Sequence, residues 1–165
     1  MYKLTQNGVI RLSDNTFIPN NPGNRDFQKY QKWLYEGNES IPEYVPNDCI
    51  NMETFEIDEN CVFQKIKEQK REEILRFEKQ RVQKVCDEYG YNGLADIQLY
   101  ASQNDTEAKT ILAWYSAYDD LIWSYIDNDL SAFTDIQELL AVDMKNIEQQ
   151  IYQQSIQQSP LPQEA

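Results

Sequence analysis

Histidine does not occur anywhere in the chain. Its absence removes Ser-His and Cys-His nucleophilic machinery and the usual mixed Cys/His zinc sites. Any catalysis would have to rest on carboxylates, lysine or a thiol. Cysteine is scarce: Cys49, Cys61 and Cys86 form no C-x-x-C pair. An odd count without a signal peptide reads as buried or half-buried thiols in a reducing compartment. No glycine loop for phosphates, no G-x-S-x-G elbow and no zinc spacing is present. These absences point to a protein that is not an enzyme and carries no cofactor. No apolar run approaches the roughly 20 residues needed to cross a bilayer, which predicts a soluble chain without membrane insertion.

Basic charge runs out along the chain. Residues 1–50 carry five basic and six acidic side chains, and residues 51–86 eight of each. Residues 87–165 hold only Lys109 and Lys145 against fourteen acids, so the net charge of -13 belongs to the C-terminal half. A field of that sign repels phosphates and anionic lipid surfaces, which argues against nucleic acid and membrane as partners. It would suit a basic protein surface, although a solvated acidic face is the plainer reading. Hydrophobic residues at 41% and eleven tyrosines suffice for one domain or two small lobes.

The opening stretch reads as β structure. Tyr2-Lys3-Leu4-Thr5 and Val9-Ile10-Arg11-Leu12 flank Asn7-Gly8, a dipeptide suited to a type I′ hairpin. Thr16-Phe17-Ile18 adds a third short strand before Pro19 and Pro22 turn the chain. From about Asp26 to Glu36, Phe27, Tyr30, Trp33 and Leu34 recur at helical spacing, with Asn24 or Asp26 as N-cap and Gly37-Asn38 as the stop. The only nearby bed for this aromatic face is the hairpin, so Trp33 is expected in the core of a mini-domain over residues 1–45. Residues 46–58 read as an extended connection with one edge strand around 52–57.

Beyond it, Gly and Pro nearly vanish. Val62, Ile66, Ile74, Phe77, Val82, Val85 and Tyr89 share a stripe on a helix of about 30 residues from Glu59 to Glu88. The charged run 67–73 interrupts that stripe, so the helix is expected to project as a bridge or stalk. Shorter helices follow over 94–102 and from Asp105 to about Ile126. Thr134-Asp135-Ile136-Gln137 has a capping-box pattern opening a last helix with heptad-like Ile136, Leu140, Met144, Ile147 and Ile151. That stripe suggests packing on the bundle or on a partner helix, hence a possible homo-oligomer. The predicted fold class is α+β: a small N-terminal β-hairpin plus short helix module, then a predominantly helical lobe over 59–158 with one long connecting helix, and a flexible C-terminus over 159–165.

Two acidic groupings invite chemistry. Asp127, Asp129, Ser131, Asp135 and Glu138 fall at positions 1, 3, 5, 9 and 12 of a twelve-residue stretch, the ligand spacing of a calcium loop. Ala132 replaces the glycine of position six and Thr134 the aliphatic residue of position eight. Helix ends explain the same residues: Asp127 and Asp129 close one helix, while Thr134 caps the next. The Asp119-Asp120 pair reads as solvated surface, because adjacent helical residues point about 100° apart.

Within the first 40 residues, Arg11-Leu12-Ser13-Asp14, Phe17-Ile18-Pro19, Pro22-Gly23-Asn24, Asp26-Phe27, Tyr30, Trp33-Leu34 and Gly37-Asn38 resemble the N-terminal module of bacteriophage tail proteins, including the XkdW-like tail family. Asn21 stands where an acidic residue is common and Phe27 where tyrosine is. A second likeness at Tyr89-Gly90-Tyr91, Ala101-Ser102 and Glu107-Ala108…Leu112-Ala113-Trp114 is similar to the helical segment of such proteins, with Tyr115 departing from the usual arginine. The resemblance implies a non-catalytic tail or tail-fibre accessory protein, acting as an attachment subunit or a fibre-assembly chaperone in the virion tail or the cytoplasm of the infected host. Its structural residues would be Leu12, Asp14, Ile18, Pro19, Phe27, Tyr30, Trp33 and Gly37. The turn and elbow, with Asn15, Thr16, Phe17, Asn20, Asn21 and Asn24, would meet the tail or fibre partner. A calcium-dependent adaptor and a phage inhibitor of a basic host protein are the alternative classes.

Overall fold

The computed structural model describes residues 1–162, so residues 163–165 of the expected flexible C-terminus lie outside it. The fold is α+β, with helix far outweighing strand and the strands confined to the N-terminus. The chain forms two compact units, one over Met1–Lys65 and one from Ile66 onward.

In the first unit, β1 (Tyr2–Thr5), β2 (Gly8–Arg11) and β3 (Thr16–Pro19) form an antiparallel sheet in sequence order. The hairpin differs from the expected one by a residue. Thr5 pairs with Gly8, so Gln6-Asn7 makes the turn, and neither residue has positive φ. Gly8 is needed for another reason: a Cβ there would stand 2.2 Å from the Ile18 carbonyl oxygen and 2.9 Å from the Phe17 ring. Strands β2 and β3 can approach this closely only where the side chain is missing.

Alternation puts Tyr2, Val9 and Ile18 on one face. Helix α1 (Arg25–Tyr35) covers them. Asn24 is its N-cap, accepting from the amides of Asp26 and Phe27, and Gly37 ends it at φ 89°. Tyr30 sits at the centre of the cluster, whereas Trp33, expected in the core, is half-buried with Phe27 at its margin. The Tyr2 ring decides this, since it meets Tyr30 and Trp33 edge-on at centroid distances of 5.1 and 5.0 Å and fills the space beneath them. Arg11 ties sheet to helix from the side: it binds Asp14 with two nitrogens and lies 3.5 Å from Asp26.

No edge strand forms over 52–57. Asn51 folds that segment into a turn by accepting from the amides of Glu53 and Thr54, leaving one bridge between Ile50 and Ile57. The open side of β1 is met instead by Ile41, in parallel, through Leu4 N–H to Ile41 O and Ile41 N–H to Tyr2 O, both 2.9 Å. Cys49 and Cys61 are bonded to each other, so the expectation of three thiols holds only for Cys86, which is buried. Eleven intervening residues hid the pairing, because no short cysteine motif announces it.

The second unit is helical. It contains most of α2 (Glu59–Glu88), then α3 (Leu94–Ser102), α4 (Thr106–Ser124), α5 (Ile136–Ala141) and α6 (Met144–Gln158). Helix α4 continues through a π-helical turn over Tyr125–Leu130. The buried positions Trp114, Tyr118, Ile122, Ile126 and Leu130 explain it. Steps of four drift about 40° per step on a 3.6-residue helix, and the wider turn brings the last two back to the core.

The charged run on α2 does not project. Lys67 Nζ donates to the Ser131 carbonyl at 2.7 Å and Lys70 Nζ to that of Val142 at 2.6 Å, so two lysines satisfy carbonyls where neighbouring helices stop. The expected single heptad helix is likewise two helices. Val142 turns extended, and Asp143 caps α6 by accepting from Lys145 and Asn146. The cap of α5 is Asp135 rather than Thr134. Past α6, Tyr89 Oη donates to the Pro162 carbonyl at 2.7 Å.

Tyr30→Ala should cost about 3–5 kcal/mol, as for a large buried aromatic, and Trp33→Ala distinctly less. Gly8→Ala should cost about 1–3 kcal/mol through the clash with Ile18. Urea unfolding of the three variants checks the order; a larger loss at Trp33 than at Tyr30 would move the centre of the cluster.

Candidate functional site

The chemistry of the second unit is concentrated on the stripe of α2 that continues Val62, Ile66, Lys70 and Ile74 in steps of four. The next residue on it is Glu78, only 7% exposed. Across from it on α4, Tyr115, Asp119 and Trp123 follow one another at successive turns. With Leu75, Lys79, Val82 and Gln83 of α2 and Leu94 of α3, they line a cleft of about 530 Å³.

Glu78 and Asp119 line the same cleft and interact through their carboxyls, and two carboxylates so placed favour a proton held between them. Burial, then the bond and charge of Asp119, push Glu78 up to about 7, opposed by the charge of Lys79. Burial, then Asp119 and Glu78, raise the Tyr115 phenol too. The pair was invisible in the sequence, where Asp119 read as surface beside Asp120. Forty-one positions separate it from Glu78, and only the packing of α4 on α2 joins them. The cleft can store a proton near neutrality, but no serine, threonine or cysteine lines it to act as nucleophile.

A second polar constellation lies deeper. Arg81 forks onto Glu148 with Nε and Nη2 at 2.9 and 3.0 Å, and Tyr118 Oη donates to the same carboxylate at 2.6 Å. Arg81 also reaches Gln149 Oε1 at 2.7 Å and lies over the Tyr152 ring at 4.1 Å. Trp114 Nε1 donates to Ser155 Oγ at 3.0 Å. Glu148 raises the arginine further by hydrogen bonding, while burial, followed by the bond to Glu148, raises the Tyr118 phenol strongly. Glu148 and Ser155 thus occupy the buried face of α6 with Met144 and Ile151. Of the heptad residues, Met144 and Ile151 are buried, whereas Ile136, Leu140 and Ile147 are half-buried.

In the first unit, the partner-facing residues expected from the sequence divide into two groups. Phe17, 52% exposed, lies over Gly8 on the face opposite α1. Asn15, in the left-handed region at φ 55°, and Asn20 are exposed as well. The side-chain oxygens of Asn21 and Asn24 are instead engaged by the amides of Gly23 and of Asp26 with Phe27. Thr16 is half-buried, and its amide donates to Asp14 Oδ1. The Arg11 guanidinium holds the Asp14 carboxyl well below the usual carboxylate range. Leu12, Ile18 and Tyr30 are buried, and Pro19 is exposed where β3 ends.

The calcium-spaced residues sit on helical ground. Asp127 and Asp129 belong to the π turn, Ser131 Oγ donates to the carbonyls of Asp127 and Asn128, and Asp135 caps α5 through the Glu138 amide. Among the described residues no three of His, Cys, Asp and Glu gather into a group able to hold a metal. No described helix is long and apolar enough to cross a membrane. No family model, curated protein or solved structure matches the chain.

Glu78 sets a pH dependence of definite sign. Its folded pKa of about 7 lies above the ordinary value of 4.5, so its contribution to stability is complete below the ordinary value and is lost as pH rises through neutrality. Stability should fall between about pH 5 and pH 7 by up to ~1.4 kcal/mol per unit, and Glu78→Gln should remove that slope. Urea midpoints across this range measure it; a slope that survives in Glu78→Gln would assign it to other groups. Separately, Arg81→Ala should cost about 3–5 kcal/mol by stranding Glu148, while Arg81→Met with Glu148→Met should recover most of the loss.

Proposed function

We propose that the protein is a non-catalytic accessory protein of a bacteriophage tail that binds a tail or tail-fibre component through its N-terminal unit. The observation that carries this reading is Phe17. It is a large aromatic side chain, half exposed and pinned over Gly8 on a short sheet, with the exposed amides of Asn15 and Asn20 at either end of its strand. Rigid aromatic anchors beside adaptable polar groups are a recurrent composition of protein-binding patches, because little side-chain entropy is lost on contact. The likeness of residues 11–38 to tail modules supplies the kind of partner.

The bond between Cys49 and Cys61 supports a place in the finished particle over the host cytoplasm, since disulfides persist on virion surfaces and are reduced in cytosol. A second reading, inhibition of a basic host protein, draws on the fourteen acids facing two lysines in residues 87–165.

Biolayer interferometry of the full chain against purified tail and fibre proteins tests the first reading, with mass spectrometry of purified particles beside it. Phe17→Ala should weaken the captured complex by about tenfold or more, in the range of an interface anchor. Its urea midpoint would be recorded in parallel, to separate contact from folding. No binding to any tail or fibre protein, and absence from particles, would refute the reading.

A further inference from the structure

We propose that the cleft between α2 and α4 is a docking site for a basic side chain: an arginine or lysine of a partner protein, flanked by apolar residues, places its cation between Glu78 and Asp119. The inference goes beyond the tail reading and does not rest on it, because it concerns the other unit and a different surface.

Glu78 is more than nine-tenths buried, yet no N–H, hydroxyl or cation bonds to its carboxyl among the described residues; its one partner is a second acid. The groups facing it are Asp119, Tyr115 and Tyr118 of α4 and Lys79 of its own helix, which is exposed and forms no ion pair with it. A buried acid in this state lacks a cation, and a proton is the substitute available to it.

The walls suit what an arginine or lysine carries besides its charge. Leu75, Val82 and Leu94 offer apolar surface to an aliphatic stem, and Tyr115 and Trp123 add aromatic rings to the lining. The Trp123 ring already receives the guanidinium of Arg71 at 5.5 Å. Along α2 the cleft runs from Leu75 to Gln83, about 12 Å at 1.5 Å per residue, which is room for the residues either side of the inserted one. That length favours a protein segment over a free amine. The charge of the α4 side favours it as well, since residues 87–165 carry fourteen acids against two lysines, while the α2 side, with Lys79 in the lining, is nearly neutral.

Since the cation takes the place of a proton bound with a pKa of about 7, docking must release that proton in mildly acid solution and release none in alkaline solution. No surface carboxylate with an ordinary pKa would behave so.

The probe is the capped pentapeptide Leu-Ala-Arg-Ala-Leu, titrated into the full chain by calorimetry in buffers of different ionisation enthalpy, with amide shifts followed by NMR. A peptide with citrulline in place of arginine keeps the shape and removes the charge. We expect the citrulline peptide to bind about tenfold more weakly or worse, and Glu78→Gln and Asp119→Asn each to weaken the arginine peptide similarly. About one proton should be released near pH 6 and almost none near pH 8.5. Shifts should centre on Tyr115, Asp119 and Trp123. Equal binding of the two peptides, undiminished binding to a folded Glu78→Gln or Asp119→Asn protein, or shifts scattered over 127–138 would overturn the proposal. Circular dichroism of both variants shows which is folded, and either alone decides. Phe17→Ala should leave this binding unchanged, so that failure here and failure of the tail reading remain separate results.

Discussion

Glu148 is buried with only 4% of its surface in contact with water, and the helices around it are arranged to satisfy its side chain. Its carboxylate receives two parallel N–H bonds from Arg81 of α2 and an O–H bond from Tyr118 of α4, while its backbone belongs to α6. Three helices distant in sequence are thereby held to one point with directional bonds. The pair alone would contribute little net stability, given the cost of desolvating both charges. What it imposes is register. Sliding α6 by a turn would put an apolar residue against Arg81 and leave a charge buried without its partner, a far costlier outcome than any loss of van der Waals contact. The cleft above inherits its shape from this fixed point, since Glu78 lies one turn before Arg81 and Asp119 follows Tyr118 directly.

Much of the architecture was legible in local pattern. The bounds of α2, the aromatic face of α1, the β-sheet order and the cap at Asn24 all follow from periodicity and from residues with a strong preference for helix ends. What escaped was polar and long-range. Lys70, Glu78, Glu148 and Ser155 lie on inward stripes, and a reading that equates inward with apolar passes over each of them. The heptad pattern across 136–151 was real as spacing but not as one helix, because Asp143 offers the backbone a competing cap. The hairpin turn was displaced by one residue because Gly8 meets a steric demand from the third strand, which a two-strand reading does not contain.

Charge serves two purposes in the helical unit. Lys67 and Lys70 neutralise carbonyls at helix ends, and Arg71 lies against Trp123, so much of the basic charge of α2 is spent locally. The acids of residues 87–165 have few such partners. Their surplus is the origin of the outward field, while the raised pKa of Glu78 comes from burial first and from Asp119 second.

The bond between Cys49 and Cys61 also has a mechanical meaning. Residues separated by 12 positions in the chain are held with Cα atoms 5.5 Å apart. Fully drawn out, that stretch would add roughly 40 Å of contour length. Under a load pulling on the two ends of the chain, this length cannot pay out while the bond is intact. The force passes straight from Cys49 to the first turn of α2 through two sulfur atoms, and the segment between them carries no tension at all.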